Sequence, residues 1–200
     1  MQYDEALRYL HTLGRELASP QQARVQKFDL ENISVIAEQM SHPERNVPCV
    51  HIAGTNGKGS TAAMLESILR VSGLRTGLYT SPHLERINER IRINGEPISD
   101  DEFAASFTRV LEVIEREMAT GKLPAHPTFF ECLTAMAFDA FSHAGLDFAI
   151  YETGMGGRLD ATNIVQPEIS IITAIDFDHE NFLGYSLKDI AGEKAGFIKP

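Results

Sequence analysis

The chain has 200 residues, 43% hydrophobic and 23% charged, the balance of an ordinary soluble globular protein with apolar mass for a sizeable core. Its 18 Lys and Arg against 28 Asp and Glu leave a formal net charge of −10. That argues against a general nucleic-acid binder, which needs a positive field to release counterions. No apolar run reaches ~18 residues, so no membrane span is expected, and the charged start MQYDEALRYL is not a signal peptide. Cys49 and Cys132 both lie in apolar segments and read as reduced core residues of a cytoplasmic protein, not as a disulfide or a metal site.

Tyr3, Leu7 and Leu10 recur at helical spacing, with Gly14 as a stop signal. Ser19 to Lys27 is polar and reads as a loop. Ile33, Ile36, Ala37 and Met40 give a short amphipathic helix ending near Pro43. Cys49 to Ala53 is a compact apolar run after Pro48, hence a buried strand. It leads into GTNGKGS and a helix from about Lys58 to Val71, with Gly73 as its cap. Residues 75–80 read as a second strand, and Asn94-Gly95 between short apolar stretches is a strong hairpin signal. Ser99 and Glu102 form a capping box that opens a helix through Phe103, Phe107, Val110, Leu111, Ile114 and Met118 to Gly121. Pro124 and Pro127 bound a loop. Residues 129–144 form a strongly apolar helix, 147–153 and 169–175 are strands, and Ser186 to Ala195 is a helix. Phe197-Ile198 looks like the start of another strand, so the chain is expected to be truncated. Strands alternating with helices imply an α/β fold, a mostly parallel sheet with helices on both faces.

Gly54, Thr55, Asn56, Gly57, Lys58, Gly59 and Ser60 sit between a strand and a helix, the context a phosphate cradle requires. Glycines let backbone N–H groups approach phosphate oxygens, and the helix N-terminus adds its positive dipole end. Lys58 supplies a mobile charge, and Ser60 or Thr61 a hydroxyl near a metal. The strict G-x-x-x-x-G-K-[ST] pattern is not met, because Ile52 and Gly59 stand at two of its positions. A helix-capping glycine turn is the plainer alternative. Three further loops follow strands: Thr80 to Leu84; the segment from Glu152 through GMGGRLDATN; and Asp176 to His179. Ligands bind at such strand ends in open parallel sheets. A hydroxyl, a carboxylate and an imidazole from these loops could face one Mg²⁺, although imidazole is an unusual ligand for that ion. Ser81 shaping a Ser-Pro turn, Glu152 solvated, His179 in a surface ion pair and Lys194 on the surface are the plainer alternatives. His51 and His143 read as structural, and Arg158 as free to meet a carboxylate or phosphate.

Five segments carry a resemblance: HIAGTNGKGST (51–61), YTSPHLERINERIRING (79–95), ETGMGGRLDATN (152–163), ITAIDFDHENFLG (172–184) and EKAGFIK (193–199). Together they resemble the folylpolyglutamate synthase/dihydrofolate synthase family, within the Mur-type ATP-dependent ligases. The resemblance implies a P-loop NTPase-like fold, the central domain of a Mur ligase. Residues 1–200 would be an incomplete N-terminal ATP-binding domain, with the C-terminal glutamate-ligase domain absent. It implies addition of L-glutamate to a folate or dihydropteroate carboxylate through an acyl phosphate, with ATP and Mg²⁺, in a cytoplasmic monomer with small-molecule partners. By position, Gly54 to Thr61 would bind ATP, with Lys58 catalytic. Ser81, Glu152 and His179 would hold Mg²⁺, and Lys194 matches a lysine carboxylated to a carbamate in relatives. Phe28, Asp29, Leu30, Thr128, Phe129, Phe130, Glu131, Leu159, Asp160 and Ala161 match the pterin-side segments. Thr153 and Met155 stand where valine and leucine are more usual. A cell-wall ligase of the same superfamily and a nucleotide-binding module without chemistry remain the rival functions.

Overall fold

Cys49–Ala53 is buried at all five positions and forms the strand β1 between two parallel neighbours. The structure is a computed structural model that describes residues 1–13 and 29–199; Gly14, the Ser19–Lys27 segment and Phe28 lie outside the described residues. β1 pairs with β5 (Phe148–Glu152) and β6 (Ile169–Ile172), with His51 opposite Tyr151 on one side and Ser170 on the other. β5 pairs in parallel with β2 (Thr76–Tyr79), which continues into the antiparallel strands β3 (Ile91–Ile93) and β4 (Glu96–Pro97). The order is β4-β3-β2-β5-β1-β6, a mostly parallel sheet as the alternating pattern implies. The β3–β4 turn is the expected one: Asn94 and Gly95 take φ of 52° and 83°, the left-handed region a two-residue hairpin needs.

The helices are α1 (Tyr3–Thr12), α2 (Glu31–Gln39), α3 (Lys58–Val71), α4 (Asp100–Thr120), α5 (Phe129–His143), the short α6 (Glu180–Leu183) and α7 (Leu187–Ala195). Alternation along the strands sends neighbouring side chains to opposite faces. Cys49, Tyr79, Ala149 and Tyr151 face the larger core, built with α1, α2, α4 and α5. Phe103, Phe107, Phe138 and Phe141 are fully buried there, each contributing about 1.5–3 kcal/mol of burial. Val50, Ile52, Leu78 and Ile150 face α3, which packs Ala62, Leu65 and Leu69 onto them. Helices therefore cover both faces. β6 pairs on one side only among the described residues, and Ile169 and Ile172 remain exposed on it. Both cysteines are buried and free. Among the described residues, no helix is long and apolar enough to cross a membrane.

Several elements differ from the sequence pattern: the expected 169–175 strand ends at Ile172, where its pairing with β1 stops, and 3-10 turns form at Pro43–Arg45, Ile87–Arg90 and Ala161–Ile164. Phe197-Ile198 starts no strand: the Gly196 and Ile198 amides donate to the Gly192 and Ala195 carbonyls, so α7 runs into a turn and Phe197 is buried. A short α6 follows Asp178, with His179 in the left-handed conformation as its N-cap. Its four residues are too few to show a periodicity.

Ser99 and Glu102 form the expected reciprocal cap on α4: Ser99 Oγ accepts the Glu102 N–H at 3.2 Å, and Glu102 Oε2 accepts the Ser99 N–H at 2.8 Å. Replacing Ser99 by Ala should lower unfolding stability by ~1 kcal/mol. Chemical denaturation checks this; an unchanged midpoint would count against the cap.

Candidate functional site

The loop after β1 divides into two halves. Gly54 has φ of 152°, and a Cβ there would lie 1.8 Å from Thr173 Oγ1, so only glycine fits this close approach. The Thr55 and Asn56 N–H groups both donate to Ala174 O, at 2.9 and 3.2 Å, and Thr55 Oγ1 meets the Asp176 backbone. Gly54, Thr55 and Asn56 are thus tied to the chain leaving β6. Gly57 is the left-handed N-cap of α3, with nothing within 4 Å of where a Cβ would sit. Lys58, Gly59 and Ser60 form the first helical turn, whose N–H groups lack intrahelical acceptors, and Gly57 and Ser60 are exposed. The Thr61 N–H already donates to Gly57 O, so its backbone belongs to the helix. The helix-opening turn Gly57 to Ser60 is therefore the part of the loop left to meet an anion, with the Gly59 N–H already turned to the Glu152 carboxylate.

Glu152 ends β5 beside this turn. Its carboxylate oxygens lie 3.6 Å from where a Gly59 Cβ would sit, and Oε2 accepts the Ser81 N–H at 3.1 Å. Burial pushes the Glu152 carboxyl above its usual range, opposed by the Ser81 N–H and the Lys58 ammonium. Ser81 follows β2, and its bond to Pro82 is cis. Lys58 Nζ donates to Thr55 O at 3.3 Å, and the buried Lys194 Nζ donates to Gly54 O at 2.8 Å. Two lysines thus rest on adjacent carbonyls of one loop. Burial, then the Lys58 ammonium, brings Lys194 down to about 8, while Asp178 and Asp160 oppose the shift.

Ser81 and Glu152 are brought together, whereas His179 stands half-exposed at the start of α6. Its Nε2 lies 3.6 Å from Asp178 Oδ2, and its ring lies 6.5 Å from that of Phe182. Among the described residues, no three His, Cys, Asp or Glu side chains group closely enough to hold a metal ion. The buried Glu152 carboxylate and the Ser81 hydroxyl still offer the hard oxygens that Mg²⁺ takes when phosphate and water complete its shell. They fit that ion in part.

On the opposite face, α2 packs against α5 and against the 161–164 turn. Asp29 Oδ1 accepts the Glu31 N–H at 3.0 Å, and Leu30 is the N-cap of α2. Thr128 caps α5: its Oγ1 accepts the Glu131 N–H at 3.1 Å, and Glu131 Oε2 accepts the Thr128 N–H at 2.7 Å. Burial raises the Glu131 carboxyl, and the nearby Asp29 carboxylate adds to the rise. Phe129 lies under the Arg90 guanidinium, 5.4 Å from its ring centroid. Phe130 sits 6.1 Å from the Tyr79 ring and presses on Gly154, where a Cβ would come within 2.6 Å of it. Leu159 is exposed, Ala161 buried, and Asp160 caps the 161–164 turn. Thr128 and Glu131 cap α5, while among the apolar side chains of these segments Leu30 and Phe130 are half-buried and Leu159 is exposed.

Arg158 is not free. Its N–H donates to Glu193 O at 3.0 Å and its Nη2 to Gly192 O at 3.2 Å, which bolts the 153–163 loop onto α7. Gly157 passes under the same helix, where a Cβ would lie 2.4 Å from Lys194 O. No sequence motif singles out Arg90, which is buried and donates through Nε to His83 Nδ1 at 2.9 Å. In ERINER it looks like one more surface charge, and only the packing of Phe129 reveals it.

Residues 52–200 match the family model of the Mur ligase middle domain. The chain belongs to that family. It is 44% identical over 174 residues to the dihydrofolate synthase/folylpolyglutamate synthase of Bacillus subtilis, covering 86% of this chain and 40% of that protein. A solved Mycobacterium tuberculosis folylpolyglutamate synthase in complex with ADP and AMPPCP is 38% identical, with a TM-score of 0.84, over 98% of this chain and 42% of that one. An FPGS–AMPPCP–folate complex is 36% identical with a TM-score of 0.90, over 100% of this chain and 46% of that one. The chain thus spans less than half the length of the relatives it matches.

Lys194 supplies a pH test. Its amine loses its proton near pH 8 when folded, against 10.5 for an ordinary lysine. Across that window the unfolded chain holds a proton the folded one has lost, so this group's contribution to stability rises with pH. The ¹³Cε resonance of Lys194 should titrate near pH 8, well below the 10.5 of an ordinary lysine; a midpoint above pH 10 would remove the burial argument.

Proposed function

We propose that this chain is the nucleotide-binding part of an ATP- and Mg²⁺-dependent ligase that joins L-glutamate to a folate or dihydropteroate carboxylate. The observation that carries the reading is the Gly57–Ser60 turn at the N-terminus of α3, flanked by Lys58 and by the Glu152 carboxylate against Gly59. The relatives crystallised with AMPPCP, and in one case with folate, support the nucleotide and the acceptor class. In this reading the acceptor carboxylate attacks the γ-phosphate of ATP, breaking its bond to the β-phosphate to give an acyl phosphate and ADP. The glutamate amine then displaces phosphate from the acyl phosphate, closing an amide.

The first-turn N–H groups and Lys58 hold the phosphate charge as it develops, in a fixed arrangement that needs no rearrangement during reaction. Mg²⁺, when bound with ATP, screens the phosphate oxygens. Glu152 and Ser81 are the residues of this chain assigned to hold it, with His179 as the third. On the other face, Phe130 and Leu159 offer apolar surface to a flat heterocycle, beside Asp29, Leu30, Phe129, Asp160 and Ala161. The low-lying Lys194 amine is partly neutral near pH 8, the form that adds CO₂ to give a carbamate, and we assign it that modification. The partners are small molecules, and the reduced, buried cysteines support a cytoplasmic setting.

ADP release by the full-length protein, with glutamate and each pterin acceptor in turn, tests the reading. No ADP release with any pterin acceptor would refute it. Lys58→Ala should fall ~10²–10³-fold in rate with its thermal midpoint little changed. Glu152→Gln keeps the side-chain shape but loses the charge, so its rate should respond weakly to Mg²⁺ titration. A parent-like Mg²⁺ response would remove Glu152 from the metal.

A further inference from the structure

Inner strands of parallel sheets are usually continuous runs of Val, Ile and Leu. β1 breaks this with His51, which is fully buried between β5 and β6. An imidazole there is costly unless it is bonded, and its bonds lead to the candidate site. His51 Nε2 lies 2.7 Å from Thr162 Oγ1. The single hydroxyl proton of Thr162 goes to Asp160 Oδ1, at 2.5 Å. Asp160 Oδ1 also accepts the Thr162 N–H at 3.0 Å, and Oδ2 accepts the Met155 N–H at 2.9 Å. With its proton committed to Asp160, Thr162 can only accept from His51, so the imidazole carries its proton on Nε2. Nδ1 is then bare, and among the described residues it has no hydrogen-bond partner. Burial, with the Lys199 ammonium nearby, holds the ring neutral by bringing its pKa down to about 3. The Phe197 ring edge closes on it, with centroids 4.8 Å apart. His51 is thus a fixed, neutral, single donor.

The recipient is placed to matter. The Asp160 carboxylate acts electrostatically on both Glu152 and Lys194, and Asp160 opens the 161–164 turn in the acceptor-side loop. We propose that His51 is a positioning residue for the ligase reaction: relayed through the Thr162 hydroxyl, its Nε2–H holds the Asp160 carboxylate where its charge bears on Glu152 and Lys194. This rests on the function proposed above. The Gly57–Ser60 grip on nucleotide does not pass through this chain of bonds, so the effect falls on turnover and not on ATP affinity.

The test uses the full-length protein and side chains that separate donor position from bulk. Gln places its amide nitrogen where Nε2 sits, Asn places it where Nδ1 sits, and Phe fills the ring volume without a donor. Supporting partners of this kind typically matter by 10–100-fold. His51→Phe, His51→Asn and Thr162→Val should each lose about 10–100-fold in kcat, with KM for ATP within ~3-fold of the parent. His51→Gln and Thr162→Ser should stay within ~3-fold of the parent in kcat, and the His51→Phe/Thr162→Val double variant should be no worse than either single. A role in packing alone predicts lower thermal midpoints for every His51 variant, Gln included, with parent-like kcat in the folded protein; that pattern overturns the proposal. Long-range ¹⁵N NMR of the unmodified protein gives a reading that needs neither activity nor a variant. A proton on Nε2 with a bare Nδ1 supports the relay, and a bare Nε2 overturns it. Absence of turnover in the parent would count against the ligase reading itself, and the tautomer would still decide whether the relay exists.

Discussion

Parallel pairing of β2, β5, β1 and β6 forces four segments to leave the sheet along one edge. Ser81 follows β2, Glu152 ends β5, Gly54 follows β1 and Thr173 follows β6. Strand spacing then does what no local motif could. It sets a carboxylate beside the first turn of α3, a hydroxyl residue beside that carboxylate, and a glycine where two backbones nearly touch. An antiparallel sheet would have divided these ends between two edges.

The polar traffic at that edge is dense because the groups there are buried. Lys58 and Lys194 rest on adjacent carbonyls of a loop that also turns N–H groups outward. Two cations so close cannot both be comfortable, and the deeper one gives up part of its affinity for its proton. Glu152 shows the mirror effect: burial raises it, and the N–H groups around it limit the rise. The loop from 153 to 163 is tied down twice, by Arg158 bonded to α7 and by Asp160 capping its own turn.

Sequence reading succeeds here wherever the signal and its partner lie within one turn of chain. Lys58–Val71 appears with the expected bounds, because Gly57 and the apolar spacing are local. The hairpin at Asn94-Gly95 and the capping box at Ser99 are likewise self-contained. The site was legible as candidates: Glu152 and Ser81 meet, and the phosphate loop has its helix. What was not legible depended on distant partners. Lys194 finds its acceptor 140 residues away and His51 finds Thr162 111 residues away. Arg90 looks solvated until Phe129 covers it. Thr128 and Glu131, matched by position to a binding segment, also cap α5 through one another, and Glu131 meets the Asn32 side chain. Phe197 looked like the first residue of a strand because burial alone does not distinguish a strand from a turn.

The two borders of the sheet are unlike. At one, β4 is two residues long and made of Glu96 and Pro97. A charge, together with a residue that has no amide proton, discourages another strand from adding there. At the other, β6 carries Ile169 and Ile172 in the open, with no proline or charge within Ile169–Ile172. Of the two borders, the β6 one is therefore the one a further strand could extend, and the β4 one resists it.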